Sequence, residues 1–224
     1  MAKPEKKSGR KEKKSKTKKG AGAAVSPGLL VSLDGTSGEL LRSEAARLAR
    51  LCCGDADPAW SLWDASNTFY EMRLTKARNL TPTPATLMLL YASDLLFRLR
   101  WEIGPTLQEG RTVVAAPYVE SAMAFGIAAG LSRDWLEQLF RFAPKPAASF
   151  RLKEKKKNKE KKAKESSALS GFVECCCACL AKNYPGWEIA EVRPAMLQYL
   201  KDLEEKDRIR AFGRRAYQIK RALT

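Results

Sequence analysis

The sequence predicts an α/β domain with a parallel sheet and helices on both faces. Three observations carry that reading. Short apolar runs alternate with longer segments of helical periodicity, the pattern of strand–helix–strand units. The first run, Leu29–Leu33, stops at Asp34-Gly35, and a small-residue loop leads directly into a helix. The 224 residues leave room for one substantial domain.

Taken in order, residues 29–33 read as a buried strand and 39–53 as a helix with Leu40, Leu41, Ala45, Leu48 and Cys52 near one stripe. Ala59–Trp63 is a second strand, and Asn67 or Thr68 caps a helix into Phe69–Lys76. Thr81-Pro82-Thr83-Pro84 is a loop with a helix start behind it. Residues 85–108 carry the strongest helix signal, apolar almost all round and so largely buried, and Gly110 ends it. Thr112–Ala115 is a third strand, Tyr118–Gly130 a helix with a glycine stop, and Ser132 caps a helix over Asp134–Phe142. Ala148–Leu152 is the fourth strand. Ser170–Asn183 is helical, Trp187–Val192 reads as a fifth strand, and Pro194–Lys206 and the basic stretch 207–224 are helical by pattern. In such a sheet ligands bind beyond the carboxyl ends of the strands. That puts Asp34–Glu39, Asp64–Thr68, Ala116–Ser121 and the run 151–165 along one rim.

The formal charge of +16 suggests a polyanion binder until it is mapped. Residues 1–24 carry ten Lys/Arg against two Glu, and residues 151–165 nine against three, so these two runs hold all but +2 of it. Both runs are expected to be disordered, because they repel themselves and have little apolar surface to bury. The organisation expected is a basic tail over 1–24, a folded domain over 25–206 with a lysine-rich insert at 151–168, and a basic helical extension over 207–224. The first 24 residues lack the apolar core of a secretory signal, and no stretch is long and apolar enough to span a membrane, so a cytoplasmic location is expected. Adjacent cysteines (Cys52-Cys53, Cys175-Cys176-Cys177, with Cys179) make poor disulfide frameworks. The last four spread around one helix rather than converging as a zinc site would require. With no histidine, the commonest general base and metal ligand are missing. Neither a metal site nor a catalytic residue is assigned.

The loop Asp34-Gly35-Thr36-Ser37-Gly38 has the setting of a phosphate-binding loop, where backbone N–H groups and a helix N-terminus wrap an anion. A working loop ends Gly-Lys-Ser/Thr, so that the lysine reaches the β/γ-phosphates and the hydroxyl holds Mg²⁺. Here Gly38 is followed by Glu39 and Leu40: a carboxylate stands where the cation should be and an alkyl chain where the metal ligand should be.

Thr86–Leu139, "TLMLLYASDLLFRLRWEIGPTLQEGRTVVAAPYVESAMAFGIAAGLSRDWLEQL", resembles the thymidylate kinases, which are P-loop nucleoside monophosphate kinases. In that family a helix with Ala-Asp-Arg runs into a proline-kinked continuation, a glycine turn, a buried strand and Asp-Arg-Tyr-x-x-Ser. Asp94, Pro105, Gly110, Val113, Val114, Tyr118, Ser121, Ala124 and Trp135 fall at family-like positions, and "CLAKNYPGWEIAEV" resembles the family's last helix and strand. The resemblance spans roughly residues 28–205 and implies a P-loop NTPase-like fold.

The departures fall where the family handles phosphate. The loop cation and hydroxyl are replaced. The family's Arg-Glu-Pro-Gly-Gly-Thr corresponds to Trp63-Asp64-Ala65-Ser66-Asn67-Thr68, the arginine of Ala-Asp-Arg to Leu95, and the Asp-Arg before the tyrosine to Ala116-Pro117. The arginine-bearing lid lines up with the lysine-rich 151–165. Phosphoryl transfer depends on positioning and charge stabilisation, and one arginine at the transition state contributes on the order of a thousandfold.

Each retained position carries two readings. Asp34–Gly38 is either a residual anion site or a tight turn with Glu39 on the helix dipole. Asp94 and Arg98 are either polar residues of the acceptor-nucleotide pocket, with Arg98 partly replacing the arginine missing at Leu95, or an ion pair one turn apart; Tyr118 and Ser121 either line that pocket or cap and pack a helix. The first function expected is a thymidylate kinase-like protein impaired or inactive in catalysis, acting by binding a partner or nucleotide. The second is a working kinase using ATP and Mg²⁺ to phosphorylate dTMP through a site rebuilt from the lysines of 151–165. The third is a basic scaffold making weak polyanion or nucleic-acid contacts; without aromatics among its lysines it lacks a base-stacking platform. The resemblance also implies pairing through the helix 85–108, as a homodimer or a heterodimer with a related kinase.

Overall fold

The computed structural model describes residues 28–53, 57–74, 82–153, 171–181 and 187–222. Most of the two lysine-rich runs, and the disorder expected of them, therefore lie outside the described residues.

Four parallel strands form the sheet: β1 (Leu30–Asp34), β2 (Ala59–Leu62), β3 (Val113–Ala116) and β4 (Ala148–Arg151), in the order β2-β3-β1-β4. Leu30 pairs with Val113, Val31 with Ala148, and Ala59 with Val113. β1 and β3 are buried throughout, as central parallel strands must be. Alternation along β1 sends Val31 and Leu33 to one face and Leu30, Ser32 and Asp34 to the other. On the first face Val31, Leu33, Val114 and Ala116 pack under Leu41, Ala45 and Ala49 of α1 (Gly38–Cys53). The larger core, on the second face, joins Leu30, Val113 and Ala115 to α3 (Pro84–Arg98), α5 (Val119–Ala128), α7 (Phe172–Leu180) and α8 (Ile189–Ala222). Two short helices, α2 (Thr68–Leu74) and α6 (Arg133–Leu139), complete this layer.

The helix expected over 85–108 is three joined segments. α3 starts at Pro84 with the Thr83 hydroxyl accepting from Thr86 N–H. A π-helical turn over Leu99–Ile103 follows, then α4 over Gly104–Gln108. Pro105 has no N–H and its ring crowds the preceding turn, which widens so that Gly104 N–H bonds to Leu99 C=O. Gly110 closes the segment at φ 76°, and Gly130 ends the helix after β3 at φ 78°, both in the left-handed region that glycine enters freely.

The fifth strand is absent. Trp187 and Glu188 lead into α8, which begins at Ile189 and runs unbroken past residue 206. Ile189, Val192, Met196 and Leu200 recur every three or four residues and meet the core, so the period is helical and β4 is an edge strand. Among the described residues no helix is long and apolar enough to cross a membrane.

Candidate nucleotide site

β1 delivers Asp34 to the carboxyl end of the sheet, and the loop that follows lies against the start of α5. Asp34 is completely buried, and its Oδ1 accepts from Tyr118 N–H at 3.0 Å and Ser121 N–H at 2.8 Å. Its Oδ2 has no hydrogen-bond partner. Burial, with the Glu120 carboxylate behind it, pushes the Asp34 carboxyl up from 3.8 to about 7, against the hydrogen bonds that lower it. Gly35 N–H donates to Ser121 Oγ at 2.9 Å, and that hydroxyl lies 3.1 Å from Gly35 C=O.

At the N-terminus of α1, Ser37 accepts twice: its Oγ from Leu40 N–H and its C=O from Leu41 N–H. Glu39 points into solvent. Gly38 N–H, a donor that a phosphate-binding loop would turn to its ligand, instead donates to Glu174 Oε1 at 3.0 Å. Glu174 sits in the first turn of α7. The approach is close enough that a Cβ on Gly171 would lie 2.4 Å from Gly38 Cα, so only glycine fits. The loop is thus closed by a carboxylate of the chain itself.

α7 also fills the space beside the loop. Phe172, fully buried, packs its ring 4.5 Å from Tyr91, 5.6 Å from Phe125 and 6.1 Å from both Trp63 and Phe69, centroid to centroid. The pairs with Trp63, Phe69 and Phe125 are edge-to-face and the one with Tyr91 is tilted; such aromatic pairs add about 0.5–1.5 kcal/mol each beyond the area they bury. Cys175, Cys176, Cys177 and Cys179 are buried in the core, and burial pushes the Cys177 thiol up to about 11. Among the described residues no three His, Cys, Asp or Glu side chains are grouped to hold a metal ion.

Asp94 and Arg98 are both fully buried, with Arg98 Nε 3.2 Å from Asp94 Oδ2 in an ion pair outside hydrogen-bond geometry. Asp94 accepts from Asp64 N–H, Ser66 N–H and Ser66 Oγ, each at 2.9 Å, and so fixes the turn after β2. Asp64 holds φ 58°, uncommon without a glycine, and its carboxylate caps α2 by accepting from Phe69 and Tyr70 N–H. Arg98 donates to Pro117 C=O at 3.0 Å and to Tyr91 Oη at 3.1 Å, across the cis Ala116–Pro117 peptide. Tyr91 Oη shares its proton between Pro117 and Tyr118 C=O, and Tyr118 Oη donates to Pro144 C=O.

The residues expected at the site therefore meet in two clusters: Asp34, Gly35, Tyr118 and Ser121 behind the loop, and Asp94 with Arg98 between two turns. In both, the polar groups are largely turned on the chain's own backbone. Thr36 is buried and Ser37 caps α1. Phe172 and Glu174 were not anticipated. The one available signal was a single acid inside Phe172-Val173-Glu174-Cys175-Cys176-Cys177, an otherwise apolar helix.

No family model matches the chain. Curated relatives do. A probable thymidylate kinase 2 of Saccharolobus solfataricus is 28% identical over 127 residues, covering 56% of this chain and 59% of that protein. A probable thymidylate kinase of Pyrococcus abyssi is 33% identical over 84 residues, covering 38% and 41%. One of Staphylothermus marinus is 29% identical over 119 residues, covering 53% and 60%. The chain thus spans 41–60% of the length of these relatives. Their likeness agrees with a single parallel α/β layer of P-loop NTPase type, and the chain is related to the thymidylate kinase family.

Proposed function

We propose that this chain is a thymidylate kinase-like protein that has given up phosphoryl transfer and acts by binding. The observation that carries the reading is the Glu174 carboxylate on Gly38 N–H. A triphosphate entering there would have to displace a partly buried carboxylate and then face Glu39 in place of a lysine. Removal of Glu174 would not restore the chemistry, because Leu40 supplies no metal ligand and Leu95 no guanidinium. Arg98, the nearest cation on α3, is consumed by Asp94, Tyr91 and Pro117.

The binding partner we favour is a second kinase-like chain, either a copy of this one or a related kinase. Support comes from an apolar stripe facing away from the core along α3 and the π turn: Leu89, Leu96, Phe97 and Trp101, the last 64% exposed. Large apolar side chains grouped in this way mark an interaction surface.

The test is phosphotransfer from ATP–Mg²⁺ to dTMP by the full chain, beside a thermal-shift panel of dTMP, dTDP, ATP and Mg²⁺. No turnover above the uncatalysed rate is expected. Turnover that disappears when residues 154–165 are deleted, with the fold intact, would overturn the proposal in favour of a site rebuilt from the lysine run.

A further inference from the structure

A cleft of about 360 Å³ lies on the α5 face of the sheet, and no residue of the loop 35–38 lines it. It is at the small end of the roughly 300–1,000 Å³ typical of small-molecule sites. Its walls are mainly apolar: Val119, Phe140, Pro144, Pro146 and Leu203, with Tyr118 held by its hydroxyl bond to Pro144 C=O. At its floor Ser32 and Ser149 are register partners on β1 and the edge strand β4. Ser32 is fully buried and its Oγ has no hydrogen-bond partner. A buried hydroxyl left unpaired is uncommon and marks a place where a polar group is wanted.

The charges around the cleft are sorted. Arg151 holds both acidic members, with bonds of 2.6 and 2.7 Å to Glu120 and 2.7 Å to Asp207. That leaves Lys145, with no acidic partner among the described residues, and Arg210, which meets Asp207 only at 4.0 Å. Three cations against two carboxylates give the lining a net positive charge.

We propose that this cleft binds a small aromatic carboxylic acid. The ring lies between Phe140 and Leu203, the carboxylate faces Lys145 and Arg210, and a polar ring substituent points to Ser32. Tyr118 and Glu120 adjoin Asp34 as well as this cleft, but none of the residues 35–38 lines it, so the proposal stands whether or not phosphotransfer is lost.

The probe is 4-hydroxybenzoate, titrated into the full chain and followed by amide chemical shifts, with benzoate and uncharged benzyl alcohol alongside. Saturable shifts are expected at Val119, Phe140, Ala143 and Leu203, weaker for benzoate and absent for benzyl alcohol. Lys145→Glu, at an exposed position, should weaken binding about tenfold by reversing the charge that meets the carboxylate. Ser149→Trp, on the exposed edge strand, should fill the cleft and abolish binding. Ser32→Val should remove the preference for 4-hydroxybenzoate over benzoate. Shifts absent at millimolar ligand, or scattered over the surface, or unchanged by Lys145→Glu, would overturn the proposal. The last readout holds even if Ser149→Trp fails to fold.

Discussion

Asp34 allows the most quantitative test of how the loop is built. Its carboxyl is raised from 3.8 to about 7, first by burial and then by Glu120. A group raised in the fold keeps a proton that the unfolded chain has released. Its contribution is therefore most favourable below about pH 4 and is lost as pH rises through the folded value near 7. At about 1.4 kcal/mol per unit, ionised Asp34 costs the fold roughly 4 kcal/mol at alkaline pH. Between about pH 5 and pH 8 the loss from this group is about 2.5 kcal/mol. Asp34→Asn keeps an acceptor for Tyr118 and Ser121 N–H but cannot ionise. The measurement is urea unfolding of both proteins at several pH values across that window. The stability difference between Asp34→Asn and the native chain should move by about 2.5 kcal/mol in favour of the variant as pH rises. A difference that stays constant within about 0.5 kcal/mol would refute the reasoning, since the native carboxyl would then titrate alike in both states.

Asp94→Ala should cost about 3–5 kcal/mol in urea unfolding, because it strands the buried Arg98 charge and frees three donors in the turn after β2. A loss under about 1 kcal/mol would show that water replaces the carboxylate and that the pair is not the buried tie described. Trp101→Glu places a charge in the exposed stripe of the π turn and should convert a dimer to a monomer in sedimentation velocity. A native chain that is monomeric at micromolar concentration and does not pair with a related kinase would remove the α3 stripe as an interface.

Local physics made most of the frame legible in the sequence. The four strands, the helix start behind Thr81-Pro82-Thr83-Pro84, the Ser132 cap and the glycine stops at Gly110 and Gly130 are set by side chains within a few residues, and all are found. The Asp94–Arg98 pair was readable too, because one helical turn brings them together. Trp187–Val192 reads as a strand because its six residues, with Glu188 and Glu191 among the apolar ones, are too few to show a helical period until Met196 and Leu200 extend it.

By itself, then, the sequence determined the parallel α/β frame, the kinase-like order of elements and the loss of the loop lysine and hydroxyl. Whether the remaining loop stood open was a tertiary question. Glu174 lies 136 positions from Gly38, and only the packing of α7 against α1 brings its carboxylate to that N–H and the Phe172 ring among Trp63, Phe69, Tyr91 and Phe125. Arg98 shows the same division: spacing predicts its partner, but only the fold shows its remaining donors buried on Pro117 and Tyr91. Helical spacing is written in neighbouring residues, whereas which backbone donors are already taken depends on contacts between segments far apart in the chain.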